Sequence, residues 1–219
     1  MDLAQKKAIS YYDAFSRVYD IFSPKVYYHK ARNHAIEELG LQQGQTILNV
    51  PCGTGQNFEY LQQYLQNTGL ILGVDLSQGM LEKAKTKIQQ HEWINIQLIK
   101  RDVRELNLKW LEEYSKQGNP MVIDAILCDL GLSGFPDWQQ VVDQFLEILK
   151  PGGTIVIMDW YMDKKTLRGA FVEWIGKGEV TRPVWQYLKT KVTDFKLDHS
   201  FNRGGVFVAS GKKSDLVVK

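Results

Sequence analysis

Hydrophobic and polar positions along the chain follow two alternating periods. Short aliphatic runs fall at Thr46–Val50, Leu70–Asp75, Ile96–Lys100, Val122–Asp129 and Thr154–Trp160, each followed by a segment of helical period. Phe58, Leu61 and Leu65 share one helical face, as do Leu81, Ala84 and Ile88, and Trp138, Val141, Phe145 and Leu149. Ser77 is placed to cap the second of these helices, and Lys150-Pro151-Gly152-Gly153 stops the third, because proline cannot continue a helix. Beyond Trp160 a polar, aromatic segment from Lys164 to Lys191 has helical character. Thr193–Phe201 and Val206–Lys212 then flank Asn202-Arg203-Gly204-Gly205, a hairpin turn signal. The pattern predicts an α/β fold: a Rossmann-like, seven-stranded, mostly parallel sheet with a C-terminal antiparallel hairpin and helices on both faces. Ligands of such sheets sit at the carboxyl ends of the strands.

Composition narrows the class. At 219 residues the chain has room for a single domain with a continuous core, and 44% hydrophobic with 24% charged residues excludes a disordered or fibrous chain. Lys and Arg number 27 against 25 Asp and Glu, scattered except for a loose gathering between Lys164 and Lys191, so a small or neutral substrate is expected and a nucleic-acid partner is not. No run approaches the length of a membrane span, and MDLAQKKAIS lacks the apolar core of a signal peptide, so the expected location is cytoplasmic. Two cysteines, Cys52 and Cys128, and four scattered histidines show no metal-ligand spacing, and no metal is expected.

Three elements carry candidate chemistry. The first strand runs through Asn49-Val50-Pro51-Cys52-Gly53-Thr54-Gly55 into a helix, a glycine turn that brings backbone close to a ligand beside the positive end of a helix dipole. Asp75 ends the second strand, twenty residues past Gly55, where a carboxylate accepts from both hydroxyls of a ribose. Asp102 follows the third strand, placed either to accept from an adenine amino group or to pair with Arg101 and Arg104 at the surface.

Together these segments resemble the class I methyltransferases that use S-adenosylmethionine (SAM). Ile47–Gly55 is similar to their motif I, Gly73–Ser77 to motif II, Arg101–Val103 to motif III and Asp124–Leu132 to motif IV; Leu149–Gly153 resembles the turn before their fifth strand. The resemblance implies SAM as cofactor, leaving as S-adenosylhomocysteine (SAH), held by Asn49, Gly53, Thr54, Gly55, Asp75, Leu76, Met80, Asp102, Val103 and Asp129. Two departures bear on affinity: Asn49 stands where an acid is common and adds no charge, and Pro51 stands where glycine is common and donates no N–H. The N-terminal Tyr11-Tyr12-Asp13 through Tyr19-Asp20 is similar to a segment of quinone-biosynthesis C-methyltransferases and bacterial phosphatidylethanolamine N-methyltransferases. That likeness makes Tyr11 and Tyr19 candidates for the methionine carboxylate. Tyr12, Phe15, Tyr19 and Phe22 also recur at helical spacing, as a core stripe would.

The expected organisation is one methyltransferase domain over 1–219: a helical lid at 1–40, a SAM-binding core at 45–160, a helical cap at 161–192 and a closing hairpin at 193–212. Tyr12, Asp129, Trp160 and Tyr161 are candidates for the pocket of a small-molecule or lipid-like acceptor, methylated at nitrogen or carbon. Its aromatic walls suit an apolar or cationic group. Lys6, Lys7, Arg17 and Lys25 around the aromatic N-terminal helix fit a peripheral membrane contact. Two other readings remain: an NAD-dependent oxidoreductase, which would usually place glycine where Phe58 stands, and a SAM-binding protein without catalysis, which Asn49 and Pro51 favour.

Overall fold

The computed structural model describes residues 10–14, 16, 25–118, 122–164 and 166–215. After a helical stretch at 10–14, the elements are α1 (Lys25–Glu38), β1 (Thr46–Asn49), α2 (Phe58–Leu65), β2 (Leu70–Asp75), α3 (Gln78–Gln90), β3 (Ile96–Lys100), α4 (Leu108–Ser115), β4 (Ile123–Asp129), α5 (Trp138–Ile148), β5 (Leu149–Trp160), α6 (Leu167–Gly176), α7 (Val184–Lys189), β6 (Thr193–Phe201) and β7 (Val206–Lys212). The sheet order is β3-β2-β1-β4-β5-β7-β6. β1 to β5 run parallel, and β7 is antiparallel to both β5 and β6. The expected mixed sheet and closing hairpin are present.

β1 is buried along its whole length because helices cover both sides. Leu48 and Val50 face α4, α5 and α7 through Trp110, Phe145 and Trp185, while Ile47 faces α1 and α2 through Ile36, Phe58 and Leu61. The predicted stop after α5 is a bulge in β5: pairing with β4 shifts between Ile123 opposite Leu149 and Ala125 opposite Thr154, and Gly152 sits at φ +69°. Ser77 caps α3 as expected, accepting from the Met80 amide at 3.2 Å. The Lys164–Lys191 segment forms α6 and α7. Among the described residues no helix is long and apolar enough to cross a membrane.

The strand order reverses between β1 and β4, which opens a crevice at the carboxyl edge. Along that edge stand Asp102 after β3, Asp75 at the end of β2, the Cys52–Gly55 turn after β1, Asp129 at the end of β4 and Trp160 at the end of β5. With neighbouring strands about 4.8 Å apart, this row spans roughly 19 Å.

Candidate functional site

A cavity of about 710 Å³ opens over this row, within the range that holds a small ligand. Of the predicted cofactor residues, Gly53, Thr54, Asp75, Leu76, Met80, Asp102, Val103 and Asp129 line it; of the predicted acceptor residues, Tyr12, Asp129 and Trp160 do.

At the β2 end, Asp75 is buried, with Oδ2 accepting from the Gly53 amide and Oδ1 from the Ser77 amide, both at 2.9 Å. Burial pushes its carboxyl up to about 6, although the amides of Ser77, Gly53 and Leu76 pull the other way. The carboxylate keeps lone-pair capacity for a ligand hydroxyl. The glycine turn behaves differently from expectation. Its amides point inward: Gly53 to Asp75, Cys52 to the Val74 carbonyl and Gly55 to the Cys52 carbonyl. Gly53, at φ +53° with nothing within 4 Å of where a Cβ would stand, presents bare backbone to the cavity. Gly55 lies outside the cavity wall; a Cβ there would come within 2.7 Å of the Phe58 ring, so this glycine serves helix packing.

Three further predicted positions lie apart from the cavity. Asn49 is fully buried, its Nδ2 3.4 Å from the Leu127 carbonyl and its Oδ1 3.4 Å from Asn57 Nδ2, because strand alternation turns it into the protein. Tyr11 donates its hydroxyl to the Ile175 carbonyl at 2.7 Å instead of facing a carboxylate site. Tyr161 follows Trp160 and therefore points to the opposite face of the sheet, where it packs edge-on against Trp185 with centroids 4.3 Å apart. Tyr19 lies outside the described residues, as do Lys6, Lys7 and Arg17, on which the expected membrane contact of the N-terminal helix rests.

Asp102 is buried and bidentate with its near neighbour: Arg104 Nε reaches Oδ1 at 3.0 Å and Nη2 reaches Oδ2 at 2.8 Å, while the Arg104 amide caps Oδ1 at 2.9 Å. The ion-pair alternative is therefore realised, inside the cavity wall instead of in solvent.

The β4 and β5 end combines one charged pair with aromatic walls. Arg32, from the centre of the buried stripe of α1, donates to Asp129 Oδ2 through Nε at 3.2 Å and Nη2 at 3.0 Å, and to Gln56 Oε1 through Nη1 at 3.0 Å. Asp129 Oδ1, Asn57 Oδ1 and Asp137 Oδ1 are buried on cavity-lining residues with no hydrogen-bond partner among the described residues. Such acceptors cost free energy unless a bound group donates to them, so they mark where a ligand's donors belong. Trp160 donates Nε1 to the Tyr28 hydroxyl at 3.2 Å, stacks on Tyr27 and carries the Arg168 guanidinium 5.1 Å from its ring. Phe171, Val172, Ile175 and Val180 complete this wall. Behind it, Asp159 accepts from the Ser133 amide and hydroxyl and the Trp160 amide; burial pushes it up to about 6.

Arg32, Asn57 and Asp13 were not singled out from sequence. A signal existed for Arg32, a lone charge within the stripe Tyr28, Ala31, Ala35 and Ile36.

Comparison with known proteins agrees with the fold. The model of the ubiE/COQ5 methyltransferase family matches residues 4–178. The demethylmenaquinone methyltransferase of Oceanobacillus iheyensis is 31% identical over 132 residues, covering 60% of this chain and 51% of that protein. The Staphylococcus aureus (strain MRSA252) protein of the same name is 29% identical over 148 residues, 68% of this chain and 55% of its own length. The chain thus spans about half the length of these curated relatives. In structure it is similar to a chain from a complex of the Haloferax volcanii Trm112 methyltransferase activator with a methyltransferase, at TM-score 0.71 and 15% identity, covering 93% of this chain and 97% of that one. It is also similar to Haemonchus contortus phosphoethanolamine N-methyltransferase 2 in complex with SAM, at TM-score 0.65 and 16% identity, covering 84% and 52%.

Proposed function

Since the chain belongs to the ubiE/COQ5 methyltransferase family, we propose that it is a SAM-dependent methyltransferase that methylates a ring carbon of a small, hydroxylated aromatic acceptor of the quinone type. One observation carries this reading: the row from Asp102 and Asp75 through Asn57 and Asp129 to Trp160 passes from acids suited to an adenosine to an aromatic box within one cavity. The named activity of the demethylmenaquinone methyltransferases supports the choice of acceptor and of carbon.

The residues fit the cofactor. Asp75 accepts from ribose hydroxyls, Gly53 admits the chain beyond the ribose, and the unpartnered Asn57 Oδ1 takes a hydrogen bond from the amino group of the methionine end. When bound, SAM supplies an electrophilic methyl group on a sulfonium. The protein's task is alignment and exclusion of water, with no covalent enzyme intermediate. Tyr27, Tyr28 and Trp160 hold the flat acceptor ring, and Asp129 Oδ1, its carboxylate steadied by Arg32, orients the ring by one hydroxyl.

We place the enzyme in the cytoplasm and its acceptor among apolar or lipid-like molecules, entering past Tyr27 and Phe171, which line the cavity and are 43% and 56% exposed. Leu167 and Trp174 extend that exposed apolar strip along α6, which supports peripheral membrane contact there. Incubation with SAM and a reduced, short-chain demethylmenaquinone tests the reading. The expected product gains one methyl group at a ring carbon, seen by mass spectrometry and by loss of one ring proton in the NMR spectrum. Methylation on oxygen, or calorimetry showing no SAM binding, would sink it.

A further inference from the structure

The helical stretch at 10–14 touches both walls of the cavity. On one side the Tyr11 hydroxyl donates to the Ile175 carbonyl in the last turn of α6, at 2.7 Å, and Lys177 Nζ stands 5.0 Å from the Tyr11 ring centroid. On the other side Asp13 Oδ1 accepts from Ser77 Oγ at 2.5 Å and from the Gly79 amide at 3.0 Å, at the start of α3. Tyr12, between these two anchors, lines the cavity. Successive helical residues point about 100° apart, so positions 11 and 13 face nearly opposite ways while 12 faces between them.

The contact at α3 is close. A Cβ on Gly79 would stand 2.6 Å from Ser16 Oγ and 3.0 Å from the Asp13 carbonyl oxygen, so glycine is what lets the segment settle there. Ser16 folds back over the turn, its amide donating to the Tyr12 carbonyl at 2.8 Å and its hydroxyl to the Asp13 carbonyl at 2.7 Å. Asp13 also joins the ribose-side acid: Ser77, which donates its hydroxyl to Asp13, donates its amide to Asp75, and Asp75 holds the Gly53 amide. Although burial works against it, hydrogen bonds from Ser77, Gly79 and Gln78 and the charge of Lys100 hold the Asp13 carboxyl below its ordinary value. α3 follows β2 and α6 follows β5, so the two anchors stand on opposite sides of the crevice between β1 and β4.

We propose that the segment at 10–14 and 16 is a strap fastened across the cavity, with Tyr11 and Asp13 as positioning residues that set how fast the cofactor and its demethylated product leave. This rests on the methyltransferase reading. The strap acts through the walls it joins: while both fastenings hold, Tyr12 closes the cavity, and exchange requires Asp13 to leave Ser77 and Gly79 or Tyr11 to leave Ile175.

Stopped-flow release of SAH from Asp13→Ala, Asp13→Asn and Tyr11→Phe, together with hydrogen exchange at the Gly79 amide, tests the proposal. Loss of the Oδ1 acceptor makes release from Asp13→Ala about tenfold faster. Tyr11→Phe follows in the same direction. Asp13→Asn stays near wild type, because its Oδ1 still accepts from both donors, and this rescue separates the anchor from a general loss of structure. Gly79 exchange accelerates in Asp13→Ala alone of the two Asp13 variants. Unchanged release from Asp13→Ala with SAH still bound, or Asp13→Asn as fast as Asp13→Ala, overturns the strap and leaves the methyltransferase reading standing. A wild-type protein that takes up no SAH overturns that reading, and this use of the strap with it; unchanged Gly79 exchange in Asp13→Ala rejects the anchor whatever the ligand.

Discussion

Arg32 and Asp129 form a two-pronged ion pair inside the protein, Nε and Nη2 reaching one carboxylate oxygen at 3.2 and 3.0 Å with both side chains under a tenth exposed. Removing one partner strands the other charge, so Asp129→Ala loses about 3–5 kcal/mol of stability. Replacing both, Arg32→Leu with Asp129→Leu, returns most of that loss, since apolar side chains of similar volume remove the stranded charge. Urea denaturation reads both values, and a double variant as unstable as Asp129→Ala contradicts the argument. On the role proposed for Asp129, methyl transfer stays absent in the double variant, because Oδ1 is missing from it.

The buried Asp75 gives a pH dependence of known sign. Its folded value of about 6 lies above the ordinary carboxylate value of 3.8. The group's favourable contribution is therefore fully present below the unfolded value and is lost as pH rises through about 6; two units correspond to roughly 3 kcal/mol. Asp159, also held at about 6 by burial, acts in the same direction. Ligand hydroxyls that donate to Asp75 favour its ionised form and draw its pKa down. SAH affinity thus rises with pH below about 6, by up to about tenfold per unit, and levels off above it. Calorimetry across this interval in two buffers of different ionisation enthalpy should show proton release on binding. A flat profile means that no hydroxyl meets Asp75.

Asp75→Ala removes that acceptor and also frees the amides of Gly53 and Ser77. SAH binding weakens by about tenfold or more, and stability falls by about 1–3 kcal/mol. A folded variant with unchanged affinity excludes Asp75 from the sugar site.

The glycines of the turn separate packing from binding. At Gly55, φ is +76° and an added Cβ would crowd the Phe58 ring at 2.7 Å and Ala84 at 3.3 Å. Gly55→Ala therefore costs about 1–3 kcal/mol of stability through overpacking alone. Gly53→Ala meets nothing within 4 Å; its cost is the φ of +53° and a methyl group projecting at the cofactor. Melting temperatures fall more for Gly55→Ala, while SAH affinity falls more for Gly53→Ala, and the reverse ranking would return Gly55 to the ligand.

The sheet was readable because period-two and helical runs alternate cleanly from Thr46 onward, and each crossover needs a helix between parallel strands. Asp75 and Gly53 were readable for a related reason: a strand end fixes where the following residue stands. Contacts across the chain were not readable. Spacing alone does not reveal that Arg32 crosses 97 positions to Asp129 or that Tyr11 spans 164 to Ile175. The displacement of Tyr161 was within reach, since strand alternation already sends it to the opposite face from Trp160.

Trp160 tests the acceptor end by itself. It stacks on Tyr27 at 6.2 Å, meets Tyr28 edge-on at 6.0 Å and lines the cavity at the end of β5, four strands from Asp102. Trp160→Leu leaves an apolar core contact but removes the flat indole and the hydrogen bond to Tyr28. An aromatic pair is worth about 0.5–1.5 kcal/mol beyond its buried area, so KM for the proposed quinol acceptor rises by about three- to tenfold. SAH affinity stays unchanged, because Asp75 and Gly53 lie on the opposite side of the β1–β4 crevice. Steady-state kinetics with acceptor varied, alongside calorimetry with SAH, separates the two ends. An equal loss in both measurements argues that Trp160 supports the whole edge of the sheet, and a loss in SAH affinity alone places the cofactor where the acceptor has been assigned.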